Sequence, residues 1–227
     1  MDQAGIRERL CRCASLIVAS VVVLGDLPGG QGGEATGRYQ VTIRNTNDGQ
    51  NFSPPVLILH AAGYRLFELG EPATVALWTL AEEGETREFL PLPEQDGAVH
   101  KVVVAERVHR QRSPVVAAEI EAPAGTLLSM AAMLSLTNDG FVAAQAVPLP
   151  GGVGETMRVD LRAYDAGSEA NTESCEHVPC EVHGRRMTSG AEGIVREHRG
   201  IRGDRDIPPS RAWMSPVLGS LEIRRMD

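Results

Sequence analysis

The sequence predicts an all-β protein: an antiparallel β-sandwich of about eight or more strands with one short helix. Three observations carry this. Short β-type runs recur from about Tyr39 to the C-terminus, punctuated by Gly, Pro, Asn and Asp. Met157, Val159, Leu161 and Ala163 alternate with Arg158, Asp160, Arg162 and Tyr164, giving a strand one inward and one outward face. Only one stretch has helical periodicity with start and stop signals. The chain of 227 residues can bury a substantial core, and 42% hydrophobic against 23% charged residues excludes a wholly disordered protein.

In chain order, Tyr39 to Arg44 alternates and runs into the turn Asn45-Thr46-Asn47-Asp48-Gly49. Val56 to Leu59 is a short apolar run after Pro54-Pro55. Glu71 to Glu83 predicts the helix: Pro72 stands in the first turn, Gly84 lies just past the end, and Ala73, Ala76, Leu77, Leu80 and Ala81 share a face. Strands are predicted at Val99 to Val108, Val115 to Ile120, Leu127 to Leu136, Phe141 to Val147, Met157 to Tyr164, Gly193 to His198 and Val217 to Ile223. Leu127 to Leu136 is apolar on both faces, which predicts a central strand. Trp78 and Trp213 are expected to be packing residues. No repeat or linker interrupts the pattern, so one domain is predicted from about residue 38 to 227.

The N-terminus reads as an export signal. Arg7, Arg9 and Arg12 precede the apolar run Ala14 to Leu24, which is too short to span a bilayer, and small residues follow from Gly25. This predicts a signal peptide over 1–25, a flexible lead-in over 26–37, and a secreted, extracellular or periplasmic protein with no transmembrane segment after cleavage. Cleavage removes two acids and three arginines and moves the formal net charge from −8 to −9. That balance argues against nucleic acid as a partner. Of the 22 basic residues only Lys101 is a lysine, a compositional bias, although arginine is the better planar partner for carboxylates. Cys175 and Cys180 would be the cysteines of the mature chain. In an exported protein they read most simply as a disulfide; a zinc reading would recruit His177 and His183, but no second cysteine pair supports it.

Candidate chemistry lies at strand ends. Asp139 stands in Thr137-Asn138-Asp139-Gly140, directly after the buried strand, and Asp165 closes the alternating strand before Ala166-Gly167-Ser168-Glu169. A sandwich gathers its loops at its two ends, where carboxylates and carbonyls can supply the several oxygens a calcium ion requires. Spacing alone favours a solvated acidic turn. His60, His198, Asp160 and Asp165 with Ser129 or Ser135 are the residue types of a hydrolytic set, but neither a Gly-x-Ser-x-Gly elbow nor a His-Glu-x-x-His helix is present. Arg202-Gly203-Asp204 spells an integrin-type tripeptide and reads more simply as an exposed loop. The sequon Asn51-Phe52-Ser53 is followed by Pro54, which disfavours its use.

Three stretches resemble the spondin domain, the N-terminal module of F-spondin and mindin that also occurs in bacterial secreted proteins. They are Phe52-Ser53-Pro54-Pro55-Val56 with His60, Thr137-Asn138-Asp139-Gly140-Phe141-Val142, and Tyr164-Asp165-Ala166-Gly167-Ser168-Glu169. Arg65 to Ala73 and Gly193-Ile194-Val195, leading to His198 and Gly200, are similar to the bacterial branch, and the resemblance covers about residues 38 to 225. It implies a C2-like β-sandwich with a calcium site in the loops at one end, its ligands falling on Asp139, Asp165 and Glu169. Animal members usually carry Asp at the last position; glutamate reaches one methylene further and can bind in bidentate fashion. The resemblance turns the reading toward a metal site. The function expected is an exported calcium-binding module for adhesion to an extracellular or cell-surface ligand, protein or glycan. The alternative is a secreted metal-dependent hydrolase using the same carboxylates.

Overall fold

The computed structural model describes residues 36–180 and 184–227. The predicted signal peptide, most of the lead-in and His183 lie outside the described residues.

Among the described residues nine strands form one antiparallel sheet: β1 (Thr36–Asn45), β2 (Val56–His60), β3 (Val99–Val104), β4 (Val115–Pro123), β5 (Leu127–Met133), β6 (Gly140–Pro148), β7 (Thr156–Asp165), β8 (Arg196–Glu197) and β9 (Val217–Arg225). Their order is β3-β2-β5-β6-β7-β9-β1-β4, with β8 attached to β7. The sheet folds over on itself as a nearly closed sandwich. Its interior holds alternate residues of many strands, among them Val41 and Ile43 of β1, Leu57 and Leu59 of β2, Met130 of β5, Leu161 of β7 and Leu221 of β9.

A second, smaller core lies on the other face of β2, β5 and β6. There Val56, Ile58, Ala131, Phe141 and Ala143 pack with Leu77, Leu80 and Ala81 of the helix α1 (Val75–Glu83) and with Phe67 and Phe89. This two-sided covering is why β2 is apolar at successive positions and buried throughout. It also accounts for β5, the predicted central strand, which pairs with β2 on one side and β6 on the other.

Helix α1 starts three residues later than Pro72 predicts. Thr74 is extended and its Oγ1 accepts the Leu77 N–H at 3.2 Å, so the N-cap, not the proline, sets the first turn. The stop is as predicted: Gly84 adopts φ 71° and donates to the Leu80 carbonyl. The four-residue helix α2 (Leu92–Gln95) escaped prediction, as did the 3-10 turns Arg87–Phe89 and Pro209–Arg211; α2 fully buries none of its side chains and is too short to show a period. The strand predicted at Gly193 to His198 shrinks to the two residues of β8, because Gly193 turns at φ 77° and the backbone of Ile194 lies against Gly167. Trp213 is buried, whereas Trp78 is only half-buried beneath the guanidinium of Arg186, 4.9 Å from its ring centroid.

Cys175 and Cys180 are joined in a disulfide, so the zinc reading of this pair falls. The bridge closes a tight loop with a sequence separation of 5, and the chain-entropy model assigns such a loop about 2 kcal/mol of stability. A Cys175→Ser/Cys180→Ser variant should lose that amount in urea denaturation, and reductant should no longer affect its midpoint. Equal midpoints for oxidised wild type and variant would contradict the prediction.

Candidate metal centre

The register of β6 on β7 builds the site. Gly140 pairs with Asp165, and one step beyond, the Ala166 N–H donates to the Asp139 carbonyl at 3.1 Å. The start of one strand and the end of the next therefore hold two aspartates side by side. Thr137 secures the approach: its Oγ1 donates to the Leu134 carbonyl at 2.7 Å and accepts the Gly140 N–H at 3.0 Å. Gly167 supplies the turn after Asp165 at φ 70°, and a Cβ there would lie 2.2 Å from the Ile194 carbonyl oxygen.

Both aspartates are buried. Asp139 Oδ2 accepts three hydrogen bonds, from the Ser168 N–H at 2.6 Å, the Glu169 N–H at 2.9 Å and the Ser168 hydroxyl at 3.2 Å. Its other oxygen, Oδ1, is buried with no partner among the described residues. Asp165 Oδ1 accepts the Gly167 N–H at 2.8 Å, while Oδ2 accepts from Asn171 at 2.5 Å and from Arg196 at 3.3 Å. Burial, and next the Asp165 carboxylate, push Asp139 up to about 7 against the pull of its three hydrogen bonds.

Glu169 belongs to the same turn through its backbone, but its carboxylate is directed elsewhere. It accepts the Met187 N–H at 3.2 Å and the Asn138 amide at 3.4 Å, and lies 3.6 Å from Arg186. Arg186 is in turn held by Glu82 of α1 at 2.6 Å. Burial, then the nearby Glu82, raise the Glu169 pKa. Of the three predicted ligands, Asp139 and Asp165 are thus brought together and Glu169 stands beside them in a separate ion-pair network. Among the described residues, no three His, Cys, Asp or Glu side chains gather into a group able to hold a metal. What fits a hard cation is the pair: one buried carboxylate oxygen without a donor, next to a second buried carboxylate. Arg196, Asn171, Glu82 and Arg186 were not predicted. They come from loops, from β8 and from α1, with no local motif to mark them.

The hydrolytic set is not assembled. His60 Nδ1–H donates to the Ala61 carbonyl at 2.8 Å, leaving Nε2 to accept the Ser129 hydroxyl at 2.8 Å. This Ser–His pair has no carboxylate partner, and both residues are fully buried. Ser129 Oγ also accepts the N–H of Ala146, which adopts φ 53° opposite a register shift in β5, so the pair stitches a bulge in the sheet. Asp160 points outward on β7, and Ser135 accepts the Asn51 N–H. The sequon side chain Asn51 is itself engaged, accepting the Arg110 N–H at 3.0 Å.

No helix among the described residues is long and apolar enough to cross a membrane. A family model described as Spondin_N matches residues 44–187, a span that includes both aspartates, Glu169 and the disulfide. No curated protein matches the chain.

Proposed function

The chain belongs to the Spondin_N family, a family of extracellular binding-type modules, and from that premise we propose that it is an exported module that binds calcium at Asp139, Asp165 and Glu169 and serves in adhesion to an extracellular or cell-surface ligand, protein or glycan. The observation that supports this best is the unpartnered Oδ1 of Asp139 beside the Asp165 carboxylate. A divalent cation offers that oxygen a partner and offsets the repulsion between the two aspartates. Glu169 hangs from the same turn, its N–H already bonded to Asp139, and would join the ion by exchanging Arg186 for it. Bound there, the ion ties the loop before β6 to the segment after β7. Burial of both aspartates and of the Ser129–His60 pair favours this binding role over the metal-dependent hydrolase, which needs a metal position open to water and substrate.

Thermal unfolding with calcium against a chelator tests the reading. At a hundredfold excess over the dissociation constant, an ion that binds only the folded state adds about 2.7 kcal/mol. The shift is expected in wild type and absent in Asp139→Asn/Asp165→Asn, with circular dichroism confirming that the variant is folded. No shift in wild type, or an equal shift in the variant, overturns the proposal.

A further inference from the structure

A second candidate site adjoins the segment that follows Glu169. A cavity of about 490 Å³, within the roughly 300–1,000 Å³ typical of small-ligand sites, is walled by the segments 170–173 and 196–205. Its basic wall is Arg196, Arg199, Arg202 and Arg205. Arg196 is committed to Asp165 and Glu192. Among the described residues, Arg199, Arg202 and Arg205 form no salt bridge, and all three are exposed.

The acids of the same wall are mostly occupied. Glu173 accepts the N–H groups of Arg202 and Gly203 at 2.8 and 2.9 Å, and Glu192 is held by Arg196. Asp206, next to Arg205, accepts the Ser174 hydroxyl and the Cys175 N–H. The wall therefore holds three guanidiniums without a salt bridge among the described residues, one of them (Arg205) near Asp206, together with Asp204 and with Glu192, whose Oε2 is buried without a hydrogen-bond partner.

His198 supplies an independent pointer. It lines this cavity, is 5% exposed and packs tilted against Trp213 with ring centroids 5.0 Å apart. The Gly200 N–H donates to its Nδ1 at 2.9 Å, so the neutral ring carries its hydrogen on Nε2. That Nε2–H has no acceptor among the described residues. A buried donor left unpaired is destabilising, and an acceptor oxygen from a ligand would satisfy it.

We propose that this cavity binds an acidic saccharide, its carboxylate taken by Arg199, Arg202 and Arg205 with His198 Nε2–H donating to an oxygen of the same sugar. An arginine fork matches a carboxylate in planar, bidentate fashion. Asp204 in the wall can accept from the hydroxyls of a sugar ring, a hydrogen bond that a bare anion cannot offer it. The site also gives Arg202-Gly203-Asp204 a local meaning: Arg202 and Asp204 line the cavity. Gly203 is required there because it turns at φ 72° and a Cβ would lie 2.8 Å from Pro209 Cα.

The test is isothermal titration of the exported protein with a galacturonate trimer, its carboxyl-reduced neutral counterpart and sodium sulfate, all in chelator. Chelation removes any calcium bridge, so failure of the calcium reading leaves this result intact. The trimer is expected to bind and the neutral counterpart not to bind. The exposed-residue variant Arg199→Gln/Arg202→Gln/Arg205→Gln should lose at least about tenfold in affinity, a loss of 1.4 kcal/mol or more. Binding should also move the His198 ring signals in imidazole nitrogen NMR. The proposal is overturned by no binding of the trimer, by equal binding of the neutral sugar, by undiminished affinity in the triple variant, by unmoved His198 signals, or by sulfate binding as tightly as the trimer.

Discussion

Replacing Asp139 with asparagine is expected to stabilise the metal-free protein at neutral pH and to leave its stability near pH 4 unchanged. The folded state holds the Asp139 carboxyl up to about 7, against 3.8 ordinarily, because it is buried and faces Asp165. Between those values the folded chain keeps a proton that the unfolded chain has released. The advantage of the protonated folded state is fully present below 3.8 and is lost as pH rises through about 7, on the order of 4 kcal/mol at 1.36 kcal/mol per unit. His198 acts with the opposite sign. Burial pushes it down to about 4 from 6.5, so its contribution is complete above 6.5 and fades as pH falls toward 4. The two slopes oppose each other, and wild type alone should show a shallow profile. The difference between wild type and Asp139→Asn, from urea denaturation in chelator at several pH values, isolates the Asp139 part. It should grow from near zero at pH 4 to a plateau above pH 7. Saturating calcium should reverse it, because only wild type keeps both carboxylate oxygens and their negative charge. A pH-independent difference would mean that Asp139 is ionised without penalty in the fold.

Phe141→Ala should be the most damaging of the simple core truncations, at about 3–5 kcal/mol. The ring is fully buried at the start of β6, edge-on to Phe67 at 5.3 Å and stacked with Tyr164 at 5.5 Å. It packs in the smaller core, where α1 covers the sheet, so its removal leaves a cavity that two neighbouring aromatic rings cannot close. The denaturation midpoint should fall with little change in slope. Val153→Ala, at a side chain 70% exposed in the β6–β7 connection, should stay within about 0.5 kcal/mol of wild type and serves as control. A loss below about 1 kcal/mol for Phe141→Ala would contradict the packing described.

The two aspartates were legible because each lies at a place local chemistry marks. Asp139 precedes a glycine directly after an unbroken apolar strand, and Asp165 ends a strand of strict alternation. Adjacent antiparallel strands bring such ends together, as the Gly140–Asp165 pairing does. The carboxylate of Glu169 was not legible. Its partner Arg186 lies beyond the disulfide loop, and the acid that holds Arg186 comes from α1, far back in the chain. The same holds for His60 and Ser129, whose separation in sequence hides a contact at 2.8 Å that serves the sheet.

The sequence by itself determined the β class, the doubly covered strand β5, the glycine that stops α1 and the position of both aspartates. Each follows from a period of two, a left-handed glycine or a turn, and these are properties of a few neighbouring residues. Only the tertiary structure decided the order of the strands, which carboxylate oxygen is left without a donor, and which arginines are free to meet a ligand. Those depend on which distant segments share one end of the folded sheet, and therefore on long-range pairing and burial.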